Sequence, residues 1–294
     1  MLVCPTKAEV RSLVAGYRRA RRTVALVPTM GYLHEGHLAL VREAKRQAEK
    51  VIVSIFVNPT QFGPNEDLDS YPRDTDRDLA LLEQEGVDGV FLPSPEEMYG
   101  TGGATFVEVP ELSGMLQGVL RPGHFRGVST VVTKLFNIVQ PDAAVFGEKD
   151  YQQLTLIRQM VRDLDMPIEI MGHPTVREED GLALSSRNVR LSESHRQQAV
   201  VLSKALSVAE DAAKTDPDIE NLKTVIHETL NDAPDGKVES VDIRDAKTLA
   251  EVVGHPARPV VALLAVRFGS VLLIDQRVIA NLLTVVDGNK GNQI

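Results

Sequence analysis

The 294-residue chain holds a single cysteine, Cys4, so no disulfide can close within it and no thiolate cluster can hold a metal. That usage fits a reducing cytoplasm. No apolar run approaches the ~20 residues that span a bilayer. The opening residues Met1-Leu2-Val3-Cys4-Pro5-Thr6-Lys7 lack the basic and apolar regions of a signal peptide. Cationic residues are in deficit, 32 Lys plus Arg against 41 Asp plus Glu for a net charge of -9. A general nucleic-acid partner is therefore not expected, although a local basic patch is allowed. Internal repeats and low-complexity tracts are absent. The expectation that remains is a soluble cytoplasmic globular protein, 43% apolar and 25% charged, long enough for a large core and two domains.

The first part of the chain alternates strand and helix signals. Apolar, β-branched runs at 23–27, 51–57, 87–92, 105–109, 143–146 and 168–171 read as strands. Helices are expected from Leu38 to Ala48, where apolar residues recur at spacings of three and four, and at about 74–85, 128–139 and 151–163. Near-continuous apolar strands separated by helices predict an α/β fold, a Rossmann-like, doubly wound, mostly parallel sheet over residues 1–175. In such sheets ligands gather at the carboxyl ends of the strands, beside the topological switch point. After about 175 the pattern changes. A long helix at 192–213 with Ser192 as N-cap, a second at 218–230, and strands at 238–243, 260–266 and 271–274 predict a smaller α+β domain over 176–294. The last two strands are joined by a hairpin at 267–270. The polar tail from about 287 is expected to be disordered.

The segment Pro28-Thr29-Met30-Gly31-Tyr32-Leu33-His34-Glu35-Gly36-His37 stands where a buried strand passes into a helix. Unpaired N–H groups and the positive end of a helix dipole favour an anion there. Gly31 and Gly36 would let the backbone approach a phosphate without a Cβ clash. His34 and His37 could donate to phosphoryl oxygens as charge develops. A metalloprotease zinc site needs imidazoles four residues apart and a third ligand; here the spacing is three and no further cluster stands nearby. A purely structural, capping role for the pair is the other reading of this segment alone.

Further segments fall at the same edge. Gly147-Glu148-Lys149-Asp150 follows a strand and opens a helix, offering a point charge to phosphate and carboxylates to ribose hydroxyls; an ordinary charged helix start would look the same. Gly181-Leu182-Ala183-Leu184-Ser185-Ser186-Arg187-Asn188 could wrap phosphate oxygens or simply cap a helix. Arg121-Pro122-Gly123-His124-Phe125-Arg126-Gly127 is a cationic turn before a helix. Asn58-Pro59-Thr60-Gln61-Phe62-Gly63 follows the second strand; turn chemistry explains Asn58 and Pro59 but not Gln61, whose amide suits a small polar substrate.

Taken in order, these segments resemble the pantothenate synthetase family, AMP-forming pantoate–β-alanine ligases of the His-x-Gly-His nucleotidyltransferase superfamily. The resemblance runs from about residue 20 to 275, with Phe146-Gly147-Glu148-Lys149-Asp150-Tyr151-Gln152-Gln153 and Leu184-Ser185-Ser186-Arg187-Asn188 among its carriers. Ser185-Ser186-Arg187 occupies the place of the superfamily's mobile Lys-Met-Ser-Lys-Ser-type loop. The resemblance implies a two-step reaction: ATP and (R)-pantoate give pantoyl adenylate and pyrophosphate, then β-alanine attacks to give pantothenate and AMP. It assigns catalysis to His37, the proton donor, with His34, Lys149, Ser185, Ser186 and Arg187. ATP would be bound by Met30, Gly31, His34, His37, Gly147, Glu148, Lys149, Asp150, Val176, Leu184, Ser185, Ser186 and Arg187. Pantoate would meet Met30, Gln61 and Gln153, and β-alanine Gln61, Tyr71 and Arg121. Mg²⁺ would travel with ATP, with Asp78 as a protein contact. The resemblance makes residues 1–175 the nucleotide- and pantoate-binding domain and implies a homodimer; the acidic balance and the lack of long apolar runs are what speak against a nucleic-acid or membrane partner. Another adenylyltransferase of the superfamily, or a non-catalytic nucleotide sensor, would share much of this site.

Overall fold

A computed structural model describes residues 1–64, 66 and 68–280. By its internal contacts the chain divides into two compact units, Met1–Glu178 with Ala183–Val189, and Glu179–Leu182 with the residues from Arg190 onward.

The first unit is a six-stranded parallel sheet in the order β1-β4-β3-β2-β5-β6. Its elements are β1 (Leu2–Cys4), α1 (Lys7–Arg19), β2 (Val24–Thr29), α2 (Glu35–Gln47), β3 (Lys50–Ile55), α3 (Thr75–Gln84), β4 (Gly89–Phe91), the short α4 (Pro95–Tyr99), α5 (Pro110–Ser113) and α6 (Gln117–Leu120), then α7 (His124–Val139), β5 (Ala143–Gly147), α8 (Tyr151–Asp163) and β6 (Glu169–His173). β1 and α1 are additions to the elements expected from the pattern, although Thr6 and Glu9 form a complete capping box at the start of α1. The central strands are buried on both faces, which is why they read as unbroken apolar runs. Val27, Val41, Val53 and Val145 pack in one cluster joining α2 to the sheet.

The run 105–109 is not a strand. The Val107 N–H donates to Thr130 Oγ1 (3.0 Å), and its carbonyl accepts from Ser129 Oγ (2.5 Å). Side chains of α7 thus satisfy the backbone groups that a neighbouring strand would have taken.

The second unit holds α9 (Glu193–Ala199), α10 (Val201–Ala212), α11 (Ile219–Leu230) and a three-stranded antiparallel sheet of β7 (Gly236–Asp245), β8 (Val260–Phe268) and β9 (Val271–Ile279). The expected single helix at 192–213 is two. The interruption falls at the β-branched pair Val200–Val201, both packed on the unit's core. Ser192 does cap α9, accepting from the His195 N–H. β8 and β9 outrun their expected lengths because they pair without a break from Val260–Ile279 to Phe268–Val271. The expected disordered tail lies outside the described residues.

Candidate active site at the carboxyl edge of the parallel sheet

Strand order reverses at β2, which has β3 on one side and β5 on the other. β2 pairs with β3 along six positions, from Val24–Lys50 to Thr29–Ile55. Its register with β5 stops after Ala25–Ala143 and Leu26–Ala144. Pro28, which has no N–H to donate, lies in the part of β2 beyond that point. The two strands therefore part toward their carboxyl ends, and a cleft opens between them, lined by Pro28, Thr29 and Met30 on one side and Phe146 and Gly147 on the other. This is the switch-point crevice of a doubly wound sheet.

His34 and His37 are the N-cap and third residue of α2, and both line the cleft. His34 Nδ1 accepts the Gly36 N–H (3.2 Å), and His37 Nδ1 accepts the His34 N–H (3.3 Å). The rings lie 4.1 Å apart between centroids, tilted by 37°. Burial, helped by Lys149 and Arg77, pushes the His34 pKa down to about 4. Burial, then the neighbouring His34 and Lys149, takes His37 well below its ordinary value. Both rings are neutral at pH 7. With each Nδ1 occupied as an acceptor, each proton resides on Nε2, so the pair presents two N–H donors. The capping role and the donor role are compatible, since they use opposite nitrogens. Gly36 lines the cleft as expected, but its missing side chain makes room for a neighbour: a Cβ would stand 2.9 Å from the His34 ring.

Two residues of α3 hold the turn that carries the histidines. Asp78 accepts the Tyr32 and Leu33 N–H groups, each at 2.7 Å, and Arg77 donates to the Leu33 carbonyl at 2.9 Å. Gly31 and Tyr32 both have positive φ (83° and 51°), a sharp turn that these bonds stabilise. Asp78 is 1% exposed and does not line the cleft, so it is not brought to the site as a metal contact; its oxygens are committed to backbone. Gly31 is likewise outside the lining. Among the described residues no three His, Cys, Asp or Glu side chains gather as a cation site.

The opposite wall follows β3. Asn58 caps a 3-10 turn at Pro59–Gln61. Its Nδ2 donates to Gln61 Oε1 (3.1 Å) and to the Gly127 carbonyl (3.2 Å). Asn58, Gln61 and Tyr71 line the cleft with Arg121 and His124. Arg121 pairs through two nitrogens with Glu66. His124 Nδ1 lies 2.8 Å from the Gln61 carbonyl, to which it must donate, and Arg121 Nη1 lies 3.1 Å from Nε2. Burial and Arg121 lower the His124 pKa to about 4. The floor is apolar: Val128, Val131, Val132 and Leu135 of α7 with Leu40, Phe56 and Phe146. The spacing along α7 predicts a buried stripe, yet only the packed structure shows that the stripe faces a cleft. In sequence His124 belongs to a cationic turn and has no role of its own; burial in the wall is what singles it out.

At the end of β5, Lys149 and Asp150 line the cleft, 3.6 Å apart between Nζ and Oδ2. Glu148 does not; its carboxylate sits against Gly172 of β6, 2.9 Å from where a Cβ would stand. Gln153 lines the cleft, whereas adjacent Gln152 is buried and clamps the α5–α6 segment through Leu112 O, Met115 O and the Gln117 N–H. Val176 and Leu184–Arg187 complete the lining and belong to the same compact unit. The Leu184 N–H donates to the Val176 carbonyl (3.0 Å), Ser186 Oγ to the Tyr32 carbonyl (3.2 Å), and the Arg187 guanidinium lies 5.7 Å from the Tyr71 ring centre. Of the expected site residues, all but Gly31, Asp78 and Glu148 thus meet in one cleft.

A family model described as pantoate-beta-alanine ligase matches residues 2–278. The chain belongs to the pantoate-beta-alanine ligase family. It is 53% identical over 280 residues to a pantothenate synthetase of Agrobacterium fabrum, covering 95% of this chain and 96% of the relative. A pantothenate synthetase of Desulfitobacterium hafniense is 51% identical, with 95% and 99% covered. The crystal structure of pantothenate synthetase from Thermus thermophilus superposes with a TM-score of 0.91 at 47% identity over 95% of this chain and 100% of that one. The pantoate-beta-alanine ligase of Francisella tularensis, solved with beta-gamma ATP and beta-alanine, gives 0.78 at 34% identity over 95% and 98%. Among the described residues of this chain, no helix is long and apolar enough to cross a membrane.

Proposed function

We propose that this cleft condenses (R)-pantoate with β-alanine at the expense of ATP, with roles divided among its walls as follows. The chain is a ligase of the acid–amine class. In the first step a pantoate carboxylate oxygen attacks the α-phosphorus and pyrophosphate leaves. In the second, the β-alanine amine attacks the acyl carbon of pantoyl adenylate, and AMP leaves with the former carboxylate oxygen. Neither step requires a covalent enzyme nucleophile, so the protein orients reactants and stabilises developing charge.

The observation that carries this reading is the His34–His37 pair, whose Nδ1 atoms are both held by backbone N–H groups, leaving two neutral Nε2–H donors beside Lys149. A neutral donor strengthens its hydrogen bond as phosphoryl oxygens gain charge and carries no proton that must first be lost. We assign His37 the principal donation during adenylation. Lys149, Ser185, Ser186 and Arg187 hold the triphosphate, Gly147 and Asp150 the ribose, and Val176 and Leu184 the base. Met30, Gln61 and Gln153 take pantoate, and Gln61, Tyr71 and Arg121 lie along the β-alanine route. Mg²⁺ enters as part of the nucleotide substrate, bound through phosphate oxygens, which suits an ion that keeps most of its own shell. The same reading carries a homodimer and a cytoplasmic location.

Pantoate-dependent exchange of pyrophosphate into ATP tests the assignment. His37→Ala should fold normally and lose roughly 10²-fold or more in exchange, with ATP binding little changed. Exchange within about threefold of the parent would remove His37 from the reaction. Exchange that ignores pantoate would point to a different acid.

A further inference from the structure

We propose that Tyr99 is a positioning residue for this cleft, its phenol holding the Asn58 amide in the orientation that leaves the Gln61 side-chain NH₂ to meet substrate. Tyr99 ends α4 and does not line the cleft. Its hydroxyl donates to Asn58 Oδ1 at 2.6 Å, the shortest bond that oxygen receives. The same oxygen accepts the Thr60 N–H (3.3 Å) and the Thr60 hydroxyl (3.0 Å). Asn58 is 1% exposed, and the Thr60 hydroxyl also lies 3.2 Å from the phenol oxygen.

The consequence passes along the amides. With Oδ1 committed to donors, Nδ2 faces the Gly127 carbonyl and Gln61 Oε1. Gln61 Oε1 is thereby used as an acceptor inside the wall. Gln61 Nε2 is left with Met30 Sδ at 3.3 Å, a weak acceptor that a substrate oxygen can displace. Gln61 therefore offers the cleft a donor and selects an oxygen acceptor, such as a carboxylate or hydroxyl, over an ammonium group. Burial keeps the Tyr99 hydroxyl protonated by raising its pKa, so it remains a donor. Its ring is fixed independently, with Lys134 Nζ 5.3 Å and the Phe56 ring 6.3 Å from its centre.

This inference rests on Gln61 binding pantoate, and the experiment separates the two. In the full chain, Tyr99→Phe keeps the ring and removes only the donor. The Michaelis constant for pantoate should rise about three- to tenfold, while that for ATP and kcat change less than about twofold. Asn58→Asp, which cannot donate to Gln61 Oε1, should raise the same constant with the phenol intact. Gln61→Ala should raise it further. A rise with Gln61→Ala but none with Tyr99→Phe overturns the positioning role. A lower melting temperature with every Michaelis constant unchanged also overturns it, since a packing role alone would do that. No rise with Gln61→Ala overturns the pantoate assignment itself, and with it the purpose of the relay.

Discussion

Replacing Asp78 should weaken the fold and the chemistry together, because its carboxylate holds the turn on which both histidines ride. It accepts the Tyr32 and Leu33 N–H groups at 2.7 Å each. Hydrogen bonds to a charged group contribute ~1.5–3 kcal/mol apiece. Burial opposes them and raises the Asp78 pKa from its ordinary value despite these bonds, so part of that gain is offset. Asp78→Asn has nearly the same shape but keeps one acceptor oxygen and turns an NH₂ toward the other buried N–H. One bond is lost and one donor is stranded, a cost of ~2–3 kcal/mol. Asp78→Ala strands both, at ~3–5 kcal/mol. Urea unfolding followed by circular dichroism would read these losses. Pantoate-dependent exchange, measured under folding conditions, should drop at least ~10-fold, since small displacements of a reacting group are expensive in rate. An unchanged unfolding midpoint with a higher Mg²⁺ requirement would refute this reasoning and make Asp78 a metal contact after all.

Three further outcomes are expected. Gly127→Ala puts a Cβ 2.4 Å from the Thr60 carbonyl oxygen and 2.7 Å from Gln61 backbone atoms, which cannot rotate away; stability should fall by ~1–3 kcal/mol, and pantoate binding should weaken more than ATP binding in titrations. The His34 and His124 pKa values are depressed to about 4, so the unfolded chain takes up protons first as pH falls. Stability is full above ~6.5 and is lost between ~6.5 and ~4, by ~1–2 kcal/mol per histidine at pH 5; urea midpoints that stay flat from pH 7.5 to 5 would contradict this. Adjacent glutamines should part company: Gln152→Ala lowers the melting temperature because three backbone partners lose it, while Gln153→Ala leaves melting unchanged and weakens pantoate; the reverse result in calorimetry and titration would exchange their roles.

Local pattern carries the strand-turn-helix at 28–37, and it does so for a physical reason. Burial of β2 on both faces demands an apolar run, and the helix start demands capping groups, so both are written in consecutive residues. Helix α8 runs from Tyr151 to Asp163 as its spacing predicts, and Ser192 and Asp74 cap the helices they precede. The α/β class and the parallel sheet follow from the same alternation. Where bonding partners are distant in sequence, pattern cannot decide. The β-branched run 105–109 has strand composition, but its hydrogen bonds go to Ser129 and Thr130, which only the packed helix brings near. Asp78 and Glu148 carry the carboxylates a site would want, and tertiary contacts turn one into a backbone clamp and set the other against Gly172. The parting of β2 from β5, which opens the cleft, depends on how far two strands separated by more than a hundred residues stay in register. The amide orientations of Asn58 and Gln61 depend on Tyr99 and Gly127, each contributed by a different element. Sequence determines which groups are available along each segment; the protonation state of the histidines and the side chains that face the cleft are decided by burial and by neighbours, and both exist only once the sheet and its helices have packed.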